Sequence, residues 1–356
     1  MTVIGGYVSR RFLWNFILML LGMAAFSLTF ELMEEADQVI SRADGEALAL
    51  LRYSALRLPD ILSQMVPIAA LLAALFTLSI LMHHSEIVAI WSGGVSVAGV
   101  MRGLLPIGFV LVVLQFSLND RAVPATIAAL HDWGVKTIER GGYTSGIGPT
   151  LWLRSGTDIV SVPTDAARER RLTGLQIFRR DEDGMLIEQI NAASAERVDD
   201  IWILTDVTLQ TIEPPIITQV PTLTWDGKID FEYMEMLSSD LKELPIDQIW
   251  ALIENEGYGQ RPTNLFRTWL HYRIASSLSP LMMILLVVSL TQRFHRTGGF
   301  VRLMALTVAI GFGSFIFENT SLALGESGFL PPWAAAWIPT LALACLIGGL
   351  VARSEG

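Results

Sequence analysis

The sequence is short of charge and nearly free of cysteine. Only 17% of its 356 residues are Asp, Glu, Lys or Arg, against 52% hydrophobic, whereas about a quarter of a soluble domain's residues are charged. An ordinary water-soluble chain is excluded on that count. Cys345 is the sole cysteine, so no internal disulfide can form, and in its apolar setting it reads as a small buried hydrophobe. Clusters of Lys and Arg are absent and the net charge is -10, which excludes nucleic acid as a partner because phosphate binding needs concentrated positive charge. A Gly-x-x-x-x-Gly-Lys-Ser/Thr loop is also lacking. Gly227-Lys228 is followed by Ile229 and has no upstream glycine at the required spacing, so any ATPase working with this chain is expected to be another chain.

What the sequence does have is apolar length. Six stretches run Phe12–Phe30, Ile61–Met82, Val97–Leu118, Ile274–Leu290, Leu303–Phe317 and Trp333–Val351. Each approaches the ~20 residues a helix needs to cross hydrocarbon with its backbone satisfied internally. The fifth is the shortest and is expected to extend to Val301 or past Glu318. Pro67, Pro106, Pro280 and Pro339 fall in or near these runs, which membrane helices tolerate better than soluble ones. Ser9-Arg10-Arg11-Phe12-Leu13 resembles a twin-arginine export signal, but no residue separates the arginines from Phe-Leu. The apolar run that follows is longer than a signal's h-region of ~7–15 residues. An uncleaved first span with a cytoplasmic anchor is expected.

Orientation follows from Arg and Lys in the short loops. Arg10 and Arg11 precede the first span, Arg293, Arg296 and Arg302 lie between the fourth and fifth, and Arg353 follows the sixth. The segment from Glu318 to Pro332 has no Lys or Arg. Both termini are expected to face the cytoplasm. Segment 31–60 dissents with Arg42, Arg52 and Arg57, but it also carries Glu31, Glu34, Glu35, Asp37, Asp44, Glu46 and Asp60. Trp14, Trp333 and Trp337 are expected at the membrane interfaces.

The middle of the chain has another period. Leu151–Leu153, Asp158–Val162, Leu175–Phe178, Ile201–Leu204 and Val207–Leu209 are short apolar or alternating runs, with a hairpin turn at Asp181-Glu182-Asp183-Gly184 and a break at Pro214-Pro215. Such spacing suggests a sandwich or jelly roll, followed by a helix near Pro245–Glu254. The expected organisation is three transmembrane helices over 1–118, a β-domain over 119–260, and three transmembrane helices over 261–356. The fold class is thus an integral membrane six-helix protein, 3+3, with an inserted extracytoplasmic β-jelly-roll-like domain.

Between the second and third spans lies His83-His84-Ser85-Glu86-Ile87-Val88-Ala89-Ile90-Trp91-Ser92-Gly93-Gly94. Ser85 can cap a short helix, Glu86 favours its positive end, and the glycines end it. Ile87, Ile90 and Trp91 form one apolar stripe, so residues 84–94 read as an amphipathic surface helix. It either anchors at the headgroups or couples to a cytoplasmic motor, with Glu86 pairing with a cation there. His83 and His84 do not make a metal site, because adjacent helical side chains diverge by about 100° and no Cys or Asp completes a ligand set.

Leu58-Pro59-Asp60 with Pro67-Ile68-Ala69-Ala70-Leu71-Leu72-Ala73-Ala74-Leu75, then Ser85-Glu86-Ile87-Val88-Ala89 and Gly94-Val95-Ser96, resembles the LptF/LptG lipopolysaccharide-export permeases. Tyr7-Val8 before Arg10-Arg11, Ser279-Pro280-Leu281 and Pro331-Pro332 fit the same resemblance, which covers essentially the whole chain. Gly148–Val162 and Gly174–Phe178 are more similar to the LptG branch than to the LptF branch. The resemblance implies a permease with no catalytic residue and no cofactor of its own, ATP and magnesium being bound elsewhere. Its implied partners are a paralogous six-span permease, a dimeric cytoplasmic ATPase, a periplasmic bridge of similar jelly rolls, and lipopolysaccharide. Ser85, Glu86, Ile90 and Trp91 would couple to the ATPase. Spans one and five would line the cavity, with Phe26 and Phe30 on one and Phe312 and Phe315 on the other; the same aromatic faces also suit lipid contact or packing. The family's basic residues at the outer end of span one are replaced here by Glu31, Glu34 and Glu35. Either these acids are a solvated helix end, or Glu34 meets the lipid through a divalent cation, or recognition moves to Arg42, Arg52 and Arg57 or to the partner permease. Two other classes fit the sequence less well. A lipid-modifying membrane enzyme using Glu318, Glu326 or Asp60 has no nucleophile, base or metal set to go with them. Efflux and lipoprotein-release permeases typically place their large external domain after the first span.

Overall fold

The apolar runs fold into helices longer than the runs themselves. The computed structural model describes residues 3–40, 46–84, 86, 92, 97–133, 150–163, 172–181, 183–198, 201–227, 229, 231–254, 262–294 and 300–355. Helices α1 (Val3–Ile40) and α2 (Glu46–His83) each have 38 residues, about 57 Å at 1.5 Å per residue. Hydrocarbon is only about 30 Å thick, so their polar ends, with Glu31 to Glu35 on one and Arg52 to Asp60 on the other, reach beyond the apolar stretch. Helix α3 (Val97–Ser117) passes through a π-helical turn, Leu118–Ala122, into α4 (Val123–Asp132). Helix therefore runs on past 119, where the inserted domain was expected to begin. Val123, Ile127 and Leu130 are buried at i, i+4 and i+7, a helical stripe that carries the chain on as helix.

The expected fourth span is not one straight rod. It is a pair, α7 (Thr263–Ser276) and α8 (Ser279–Phe294), bent by 45° at a short break. Pro280 has no N–H to give to the carbonyl one turn back. The break is held instead by Leu278 N–H to Ala275 O at 3.1 Å and by the Ser277 hydroxyl to Arg273 O at 2.7 Å. (Helices α5, Phe231–Ser238, and α6, Ile246–Glu254, precede this pair in the chain.) Helix α9 (Phe300–Glu326) extends past both ends of its apolar run, and α10 (Pro332–Glu355) follows, with Cys345 on its outward face, exposed rather than buried as expected. Between them Gly328, at φ +77°, takes the left-handed conformation in which Phe329 and Leu330 N–H both reach Leu324 O, at 3.0 and 3.1 Å. Among the described residues, five helices are long and apolar enough to cross a membrane, and six if the bent pair counts as one span.

Residues 1–137 and 267–356 form one compact unit, and residues 138–266 a second. In the first, α2 and α8 are central. Val66, Ala69, Ala70, Ala73, Ala74 and Leu78 of α2 and Ile284, Leu286 and Val287 of α8 are fully buried in one apolar cluster with Phe12 and Phe16 of α1. The alanines let backbones approach, which is how helices associate when lipid removes the hydrophobic drive. Asn15 donates to the Thr77 hydroxyl at 2.8 Å and Gln115 to Ser63 O at 2.9 Å, polar ties across α1–α2 and α3–α2.

In the second unit, six antiparallel strands pair strictly in sequence order. They are β1 (Thr150–Ser155), β2 (Asp158–Pro163), β3 (Leu172–Arg180), β4 (Leu186–Val198), β5 (Ile201–Thr211) and β6 (Ile216–Trp225). This is the inserted β-domain. Its described strands form a meander, each paired with its predecessor, without the crossover that distinguishes a jelly roll. At the β3–β4 turn, Asp181 Oδ1 accepts the Met185 N–H at 2.8 Å and Gly184 sits at φ +84°. One sheet face buries Leu175, Ile177, Ile190, Trp202, Leu204 and Trp225. Trp202 and Trp225 are cross-strand partners, and Trp202 meets Phe231 edge-on at 5.7 Å. Phe231 opens α5 (Phe231–Ser238), and α6 (Ile246–Glu254) follows.

Candidate functional site

Helices α1 and α9 both lie against α2, and each turns an aromatic face away from the chain's own core. On α1, Phe26 is 68% and Phe30 49% exposed, their rings 4.8 Å apart and tilted by 54°. On α9, Phe312 is 65% and Phe315 53% exposed. Neither pair packs into the bundle, so both faces are available to lipid or to another chain. The two pairs sit on separate helices.

Beyond Phe30 the charged end of α1 meets α2. Glu31 Oε1 accepts from Tyr53 Oη at 2.8 Å and from Arg57 Nε, and Arg57 Nη1 also pairs with Asp60 at 2.8 Å. These side chains are largely buried. The expectation that Arg57 could recognise a lipid phosphate is therefore corrected: its guanidinium is already engaged by two carboxylates. Arg52 lies over the Trp133 ring, 4.7 Å from its centroid, and Arg42 is outside the described residues. Glu35 is buried whereas Glu34 is exposed, so Glu34 is the acid of this trio best placed to meet a headgroup. Among the described residues no group of three or more His, Cys, Asp or Glu is placed to hold a metal ion. A cation at Glu34 would take its other ligands from lipid phosphate and water.

At the other end of α1, Glu86 is within reach of the first helical turns. Tyr7 Oη donates to Glu86 Oε2 at 3.0 Å, and Arg11 Nη1 lies 3.4 Å from each Glu86 oxygen and 2.8 Å from Tyr7 Oη. The cation that sequence reasoning assigned to a motor is, in the free chain, supplied by Arg11. Tyr7 and Arg11 were not singled out for this role. The i, i+4 spacing of an aromatic hydroxyl and a guanidinium was visible, but not the partner 75 residues away. Ser85, Ile90 and Trp91 lie outside the described residues, as do Gly93 and Gly94.

The acids that would have served an enzyme are tied into the fold. Glu326 accepts from Trp269 Nε1 at 2.7 Å, Glu318 from Tyr272, and Asp60 from Arg57. A family model described as lipopolysaccharide export system permease LptF/LptG matches residues 6–353. No curated protein matches the chain.

Proposed function

The chain belongs to the LptF/LptG family of lipopolysaccharide export permeases, and from that premise we propose that it is one of two paired permeases in an ATP-driven exporter. The family is one of transport permeases, not of enzymes. The match from residue 6 to residue 353 is the observation that carries the proposal. In this reading both termini are cytoplasmic, in the inner membrane of a bacterium, and the β-unit is periplasmic. The surfaces of α1 and α9 carrying Phe26, Phe30, Phe312 and Phe315 line a cavity completed by the paralogous permease. Lipopolysaccharide enters it from the outer leaflet, its acyl chains held at about 0.8 kcal/mol per buried CH₂. Such binding is undirectional, so release requires the apolar surface to shrink when a motor closes the cavity. The motor is a dimeric cytoplasmic ATPase docked on residues 84–94 through Ser85, Glu86, Ile90 and Trp91, and it binds the ATP and magnesium. The β-unit passes the lipid to a periplasmic bridge of similar domains. Of the two branches the LptG assignment is favoured, by the resemblance of Gly148–Val162 and Gly174–Phe178.

Affinity purification of the tagged chain in mild detergent, with mass spectrometry of bound proteins and lipids, tests this. Recovery of a related six-span permease, an ATPase and lipopolysaccharide is expected. A chain that brings down ordinary phospholipid alone would contradict the proposed assembly.

A further inference from the structure

The amino-terminal turns of α1 reach Glu86, between α2 and α3, and Gly103 within α3. On one side Tyr7 and Arg11, one turn apart, engage the Glu86 carboxylate at 3.0 and 3.4 Å. On the other, the Ser9 hydroxyl donates to Gly103 O at 2.8 Å. A Cβ on Gly103 would come within 2.9 Å of the Gly5 Cα, closer than real Cβ atoms pack, so α1 and α3 touch backbone to backbone there. Positions 5 and 9 share one face of a helix, and positions 7 and 11 lie about 200° round from it. The end of α1 is therefore wedged between α3 and Glu86. Phe12 and Phe16, on the next turns, are buried in the α2–α8 core, so this end cannot shift without moving the rest of the helix, and Phe26 and Phe30 with it.

We propose that Tyr7 and Arg11 are positioning residues for Glu86, which latch the coupling segment to α1 and so deliver a push on that segment to the cavity-lining helix. The inference rests on the reading of Glu86 as the motor-facing residue and goes beyond it, by naming the path from Glu86 to the substrate face. The Arg11 and Glu86 side chains are 29% and 36% exposed. A motor's own cation can thus reach the same carboxylate, and Glu86 can be shared or exchanged between Arg11 and that cation. In water an exposed pair of this kind is weak. Tyr7 strengthens the arrangement by accepting from Arg11 and donating to Glu86, so the three groups form a closed hydrogen-bonded ring.

The test uses the assembled exporter in lipopolysaccharide-containing proteoliposomes, reading ATP turnover and lipid released per ATP. Arg11→Gln is expected to keep ATP turnover and ATPase capture but to lower lipid released per ATP about fivefold, the factor that ~1 kcal/mol of lost pairing corresponds to. Arg11→Lys should restore most of the ratio, Tyr7→Phe should lower it less than Arg11→Gln, and Arg11→Gln should add nothing in a Glu86→Gln background. A merely structural role would lower turnover and release together, or leave Arg11→Lys as poor as Arg11→Gln; either result overturns the proposal. So does a wild-type ratio in Arg11→Gln, or effects of Arg11→Gln and Glu86→Gln that multiply. Should Glu86→Gln still capture the ATPase fully while releasing lipid poorly, the docking role of Glu86 fails and the latch stands.

Discussion

Glu31, Tyr53, Arg57 and Asp60 show how a charged cluster at the end of a membrane helix is held by its neighbours. Arg57 is shared between two carboxylates, and removing it leaves both largely buried and facing each other. Breaking a fully buried pair costs ~3–5 kcal/mol, which partial exposure reduces to roughly 2 kcal/mol here. Arg57→Gln is expected to lower the thermal unfolding midpoint in detergent, and combining it with Glu31→Gln should cost less than the sum of the two. Strict additivity would show that the groups do not act together. Glu34, by contrast, is exposed. If it meets lipid phosphate through a divalent cation, Glu34→Ala retains several-fold less lipopolysaccharide in magnesium, on the order of 1 kcal/mol, and chelator brings the parent chain down to the level of the variant. Equal retention by both chains, with and without chelator, contradicts that role.

The π-turn after α3 and the joint between α7 and α8 depend on each other. Arg273 Nη1 lies 3.7 Å from Asp120 Oδ1, with the two side chains only 4% and 7% exposed, so the turn on one helix supplies the counter-charge for the last turn of another. Asp120→Ala leaves a buried guanidinium without it. The expected cost is ~3 kcal/mol, read as a loss of folded chain from the membrane, and Asp120→Glu should recover part of it. A normal yield and midpoint in Asp120→Ala would show that the pair is dispensable. Leu118–Ala122 also shows where sequence reasoning stopped. Its Asn, Asp and Arg read as the end of a span; the Asp120 partner on α7 and the buried stripe of Val123, Ile127 and Leu130 explain why the helix carries on. Strand β4 was missed for a similar reason: its run of Glu, Gln, Ala and Ser favours helix, and the strand is imposed by pairing with β3 and β5. The spans themselves were legible, because hydrocarbon admits little but apolar helix. Pro280 was visible, but the bend it causes depends on which carbonyl loses its donor.

For the molecule as a whole, the helical unit buries its alanine-rich centre and leaves two aromatic faces outside it. Those faces were readable as i, i+4 and i, i+3 pairs, but periodicity alone could not separate core from surface, and their exposure in the folded chain does. Glu86 was likewise readable as the polar start of an apolar stripe, whereas its tie to Arg11 needed the fold. The proposed mechanism sets lipopolysaccharide against these two faces, on α1 and α9. A photo-reactive residue at Phe26, and separately at Phe315, with capture of lipopolysaccharide followed in membranes containing the assembled exporter, tests that claim most directly. The account predicts adducts at both positions that diminish when ATP drives turnover, and far fewer from a probe at the buried Phe12. No adduct at Phe26 or at Phe315, with or without ATP, would contradict it.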